Sequence, residues 1–133
     1  LPNTELALFG NDLDPNAIDA CYANIEAAEL GDSIAMAEGN CLDCKAPAEQ
    51  GILLTNPPYG VRIGEAEELD ILYPALGNWL KKDFAGWNAY FFTADRQLEK
   101  GMRLKASKRT PLFNGALDCR LFEYKIIQGS MRT

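Results

Sequence analysis

Gly51-Ile52-Leu53-Leu54-Thr55-Asn56-Pro57-Pro58-Tyr59-Gly60 (GILLTNPPYG) is the stretch on which the reading of this chain turns. Its first half is a short apolar run. It predicts a strand apolar on both faces, as a central parallel strand is. The run passes directly into Asn56-Pro57-Pro58-Tyr59. In open α/β sheets the ligand sites lie at the carboxyl ends of strands. Two consecutive prolines restrict the backbone and leave carbonyls with no neighbouring N–H to pair with. A proline turn that merely ends a strand, with Tyr59 packed as a wall, is the plain alternative. The asparagine and the strand placed before the prolines favour a functional site over it.

Working outward, strand and helix signals alternate on both sides. Upstream, Leu6 to Asn11 reads as a buried strand, followed by Asp14 as a helix cap and Pro15 as the first helical residue. A helix from Pro15 to Leu30 places Ile18, Cys21, Tyr22, Ile25 and Ala28 on one face, with Gly31 as its C-terminal cap. Ser33 to Ala37 reads as the next strand, and a loop through Lys45-Ala46-Pro47 leads back to Gly51. Downstream, a helix from Glu65 to Lys82 carries Leu69, Leu72, Tyr73, Leu76, Trp79 and Leu80. Pro74 within it should kink the first turns or delay the start. Then come a strand, Trp87 to Thr93, and a short helix, Asp95 to Met102. Two last strands, Leu104 to Leu112 and Leu117 to Ile127, flank Phe113-Asn114-Gly115, whose Asn-Gly pair predicts a hairpin turn. This order implies a mostly parallel α/β sheet with an antiparallel edge.

Composition narrows the partners. The chain has 133 residues and a formal net charge of −6, so it lacks the basic balance with which nucleic-acid anchors neutralise phosphate. Lys100, Arg103, Lys105, Lys108 and Arg109 form the one basic stretch. No apolar run approaches the roughly 20 residues that span a bilayer, so no membrane partner is expected. Cys41 and Cys44 make a single C-x-x-C, but with no histidine and no second pair no metal site is expected. Free thiols in a reducing, cytoplasmic setting are the simpler reading.

Asn56-Pro57-Pro58-Tyr59 resembles the Asn/Asp-Pro-Pro-Tyr/Phe signature of class I S-adenosylmethionine-dependent amino-methyltransferases, and the resemblance runs from about Leu6 to Tyr124. It implies a Rossmann-like methyltransferase sheet with a C-terminal antiparallel hairpin and S-adenosylmethionine as cofactor. An amino group conjugated to a base is a weak nucleophile. The side-chain oxygen of Asn56 and the carbonyl of Pro57 would accept its hydrogens and hold its lone pair toward the methyl, with Tyr59 stacked on the base. By the same resemblance Asp12 would bind ribose hydroxyls, Leu13 would cover the adenine face, and Asn40 and Cys41 would bond the adenine edge. The family usually has Asp where this chain has Asn40, whose amide oxygen can serve as the acceptor; Asp43 is a second candidate. Asp14 is explained by capping.

The stretches Asn56 to Gly64, Phe84 to Ala94 and Leu112 to Cys119 are most similar to the large-subunit ribosomal RNA guanine-N2 methyltransferases that carry a THUMP RNA-binding domain. Such proteins are often labelled N6-adenine DNA methylases. The resemblance implies ribosomal RNA as partner, gripped by domains outside these residues. It also implies that the glycine-rich loop, first strand and first helix lie upstream of Leu1, making residues 1–133 the C-terminal part of the domain. Adenine N6 fits the same acceptor pair. A methyltransferase-like fold used only for binding is the alternative of a different class.

Overall fold

The local chemistry at Asp14 and Pro15 sets the start of the first helix in the computed structural model, which describes residues 7–31, 33–57 and 65–127. Asp14 is extended, and its carboxylate accepts from the Asn16 N–H at 2.9 Å while Pro15 occupies the first turn. Helix α1 (Pro15–Ala27) then ends three residues earlier than the sequence predicts. Glu29, not Gly31, takes the left-handed step, at φ 61°. The N–H groups of Leu30 and Glu29 fold back to the carbonyls of Ile25 and Glu26, closing a Schellman motif. Ile18 is buried and Cys21 and Ile25 are half-buried, whereas Tyr22 and Ala28 of the expected stripe are exposed.

The chain divides into two compact units, residues 1–44 and 45–133. In the first, β1 (Leu8–Asp12) pairs in parallel with β2 (Ile34–Glu38), each starting later than expected. The expectation that the first strand is buried fails. Leu8 and Phe9 are exposed, because among the described residues of this unit one helix covers the pair.

The second unit holds a four-stranded sheet in the order β3-β4-β6-β5, from β3 (Ile52–Thr55), β4 (Asn88–Thr93), β5 (Lys108–Asn114) and β6 (Leu117–Lys125). β3 is parallel to β4; β6 is antiparallel to both β4 and β5. β3 lies at the sheet's edge, so the central, doubly buried strand read from GILLT is corrected: Ile52 and Leu54 are 69% and 70% exposed.

Helix α2 (Glu65–Asp83) and the short α3 (Leu98–Met102) supply the cover for the other face. Leu69, Tyr73, Leu76, Trp79 and Leu80 are buried as the helical spacing predicts, and Leu72 is half-buried. Pro74 does not delay the start; it sits within a helix that begins at Glu65. α2 meets α3 through glycines. A Cβ on Gly77 would lie 2.2 Å from the Met102 carbonyl oxygen, and one on Gly101 would lie 2.7 Å from the Tyr73 ring. Beneath them Phe91 and Tyr124 pack edge to face at 5.9 Å.

The last hairpin is displaced from its predicted place. Leu104 and Ala106 are buried and alternate like a strand, yet they form a connection. The Ala106 N–H goes to Glu99 Oε2 at 2.7 Å and the Ser107 N–H to the Glu123 carbonyl at 2.8 Å. β5 therefore starts at Lys108 and runs through Phe113 and Asn114. The turn is Gly115-Ala116, with Gly115 at φ 65° in the first turn position, where a II′ hairpin takes its glycine. No helix among the described residues is long and apolar enough to cross a membrane.

Candidate functional site

Four of the sequence-predicted residues share one rim of the first unit. The parallel register pairs Asp12 with Glu38, so both strands end at the same level. The Gly39 N–H donates to the Asp12 carbonyl at 2.9 Å, and Asn11 Nδ2 donates to the Gly39 carbonyl at 3.0 Å, which ties the two loops together. Gly39 has φ 147°, a conformation that favours glycine. Asp12 is exposed, and its Oδ1 accepts from the Asp14 N–H at 2.9 Å. Leu13 beside it is 70% exposed. Asn40 caps a single turn of 3-10 helix (Cys41–Asp43), its Oδ1 accepting from the Leu42 N–H at 3.0 Å. An amide oxygen has two lone pairs, so capping leaves it one. Cys41 opens that turn, where helical geometry gives a backbone N–H no internal acceptor. A carboxylate, an exposed leucine, an amide and a helix-start N–H are a donor and acceptor set that suits a nucleoside.

Burial disfavours the thiolate at Cys41 and Cys44. Burial, and then the neighbouring Cys44, push the Cys41 thiol up; burial, and then Asp43, do the same to Cys44. Thiolate is the reactive and metal-binding species, so both are poor nucleophiles. Among the described residues no group of His, Cys, Asp or Glu is placed to hold a metal ion.

In the second unit Asn56 is exposed and Pro57 buried at the carboxyl end of β3. Thr55 registers with Phe91, which brings Asn56 and Pro57 level with Phe92 and Thr93 on β4. Tyr59 lies outside the described residues.

A further pair in the second unit is not among the residues that the sequence marks. The Tyr73 hydroxyl on α2 donates to Asp95 Oδ2 at 2.6 Å, just past the end of β4. Asp95 Oδ1 accepts from the Gln97 N–H at 2.9 Å, and the Asp95 N–H donates to Thr93 Oγ1 at 3.0 Å. Burial, and then the bond to Asp95, hold the Tyr73 phenol well above its usual range. Helix α2 is therefore bonded, through Tyr73, to the residue two positions past the end of β4. The rule that singled out Asn56, a polar residue at a strand's carboxyl end, applies equally to Asp95.

Strand order, crossover helices and polar strand ends define a Rossmann-like α/β fold of the methyltransferase type. The chain belongs to the RMKL-like methyltransferase domain family, which residues 2–123 match. It is 37% identical over 128 residues to the ribosomal RNA large subunit methyltransferase K/L of Shewanella frigidimarina, covering 96% of this chain and 18% of that protein. It is 40% identical over 119 residues to a Synechocystis protein provisionally named an RNA methyltransferase, covering 90% of this chain and 31% of that one. A protein provisionally assigned as a methyltransferase and crystallised with S-adenosylhomocysteine superposes with a TM-score of 0.83 at 27% identity, over 97% of this chain and 33% of that chain. A protein of Listeria monocytogenes, described as a predicted N6-adenine-specific DNA methylase, superposes at 0.78 with 29% identity, over 90% of this chain and 30% of that one. The chain thus spans a third or less of each of these relatives.

Proposed function

We propose that this chain is the C-terminal part of a catalytic domain that methylates an exocyclic amino group in large-subunit ribosomal RNA, with guanine N2 as the favoured target. The observation that carries the reading is Asn56-Pro57 at the carboxyl end of β3, exposed Asn followed by buried Pro, in a chain of this family. S-adenosylmethionine, when bound, supplies the electrophilic methyl group. Asp12 would accept from its ribose hydroxyls, Leu13 would cover its adenine, and Asn40 with the Cys41 N–H would bond the adenine edge. Asn56 Oδ1 and the Pro57 carbonyl would each accept one hydrogen of the target amine. Two acceptors in fixed positions direct the nitrogen lone pair along the line of attack, and alignment of this kind is the main contribution the residues make. Tyr59 is the residue proposed to stack on the base. The RNA relatives favour ribosomal RNA, and the relative described as an N6-adenine methylase keeps adenine as the second reading.

The test is Asn56→Ala in the intact protein, assayed on ribosomal RNA with mass spectrometry of the nucleosides. Turnover should fall by about 100-fold or more while affinity for S-adenosylmethionine holds, since a misplaced reactant costs that much. Unchanged turnover removes Asn56 from the mechanism, and methylated adenine in place of guanine decides the target.

A further inference from the structure

We propose that the tip of the β5–β6 hairpin is a docking platform for an unpaired RNA nucleotide next to the one that is modified. In this platform Phe113 stacks on the base and Arg96 contacts the phosphate. The inference deepens the RNA reading above and rests on it.

Phe113 is 73% exposed, on a strand, in a protein that buries its other phenylalanines of this sheet's covered face. It is the cross-strand partner of Asp118. That carboxylate lies between two guanidiniums: Arg96 Nη2 at 3.1 Å from Oδ2 and Arg120 Nη1 at 4.0 Å from Oδ1. One negative charge thus faces two positive ones beside an open aromatic ring. Arg96 is 65% exposed and free to exchange partners with solvent or a ligand. An aromatic face beside an exposed arginine that shares its carboxylate with a second arginine matches the two halves of a nucleotide, the base and the phosphate. Arg109, the one arginine of β5, is not part of this surface, because both oxygens of Glu99 already hold it.

Sheet register decides which end of the protein this surface serves. Thr93, the last residue of β4, pairs with Arg120, and the hairpin ladder continues beyond it through Asp118 to Leu117. At about 3.4 Å per residue the hairpin overhangs the end of β4 by roughly 10 Å. β3 ends at this same edge of the sheet and delivers Asn56 there. From β3 to β5 there are three strand spacings, roughly 14 Å across. Phe113 is therefore on the side where the target amine is held but too far across to touch it. That separation assigns it a flanking nucleotide, and an unpaired one, since stacking on a side chain requires a base free of its own stack.

The experiment compares Phe113→Ala, Phe113→Leu and Phe113→Trp in the intact protein. The probes are a mixed-sequence single-stranded RNA oligonucleotide, its duplex and its DNA counterpart, with cofactor affinity measured alongside. Phe113 is exposed, so none of the three should disturb folding. Loss of a base–aromatic stack predicts about 5- to 150-fold weaker binding of single-stranded RNA for the Ala and Leu variants. The Trp variant should bind as the parent does, and affinity for S-adenosylmethionine should not move. Arg96→Gln should lower the slope of log affinity against log salt by about 0.7. Equal binding by parent and Ala variant overturns the platform while leaving methylation of RNA intact. An equal loss on the duplex overturns the assignment to an unpaired nucleotide, whereas the single-stranded DNA should lose in step with the RNA, since neither the stack nor the phosphate contact uses a 2′-hydroxyl. A parent that methylates no RNA overturns the functional reading itself.

Discussion

The two units of this chain carry their proposed site residues on very different foundations. Among the described residues before position 45, Ile18 alone is a buried hydrophobic, and Leu8, Phe9, Leu13, Tyr22 and Leu30 are exposed. Residues from Lys45 onward bury Tyr73, Leu80, Phe91, Leu98, Met102 and Tyr124 to 3% exposure or less. Burial of apolar area is the dominant favourable term in folding. The second unit therefore holds its strand ends on a packed core, whereas the first holds its rim by turns, caps and loop-to-loop hydrogen bonds. Precise placement is expected where the amine would be held, and adjustability where a nucleoside would be.

The strongest way to break this contrast is to hollow the core. Phe91→Ala should cost about 3–5 kcal/mol, the range for a buried aromatic, read as a lower urea midpoint. Amide exchange should quicken throughout residues 45–133. If α1 and β2 lose protection equally, the two foundations are one and the contrast falls. A gentler probe is Tyr73→Phe, which deletes the hydroxyl bonded to Asp95 but leaves the ring against Gly101. Removing a hydrogen bond to a charged group should cost about 1.5–3 kcal/mol. Turnover in the intact protein should fall with cofactor affinity unchanged; a stability loss without any change in turnover would show the pair to be purely structural. The smallest effect is expected from Asp14→Ala, about 1 kcal/mol for a lost cap. Faster exchange confined to the first turn of α1 sharpens the contrast, and collapse of the whole β1–β2 pair would show that caps are nearly all that sustains it.

What could be read in the sequence follows from how local each cause is. Asp14-Pro15 is a start signal complete in two residues, and the stripe from Leu69 to Leu80 is a periodicity within one helix. The end of α1 departs from the expected Gly31 cap because glycine is only the commonest residue for a left-handed cap, and Glu29 takes that conformation once the returning bonds to Ile25 and Glu26 form. β5 starts later than the sequence pattern predicts because Leu104 and Ala106 alternate with polar residues, while the N–H groups of Ala106 and Ser107 go to Glu99 and Glu123 in other elements. Burial on both faces of β3 is a property of its neighbours, not of Ile52 or Leu54. At the site, the exposed Asn56 and the Asp12 and Asn40 loops follow from strand ends that the sequence marks. Tyr73 with Asp95, 22 residues apart, and Phe113 with Asp118 and Arg96 do not, because those partners meet only through the fold.

The reciprocal glycines of α2 and α3 have a consequence for engineering. Gly77 admits the backbone of α3, and Gly101 admits the ring of Tyr73, so each helix is cut to the other's outline. A designer wishing to graft the Asn56 loop onto a new scaffold cannot lift the loop by itself. The portable cassette is β3, α2, β4 and α3 together, with both glycines kept, because a methyl group at either would prise apart the clamp between α2 and α3.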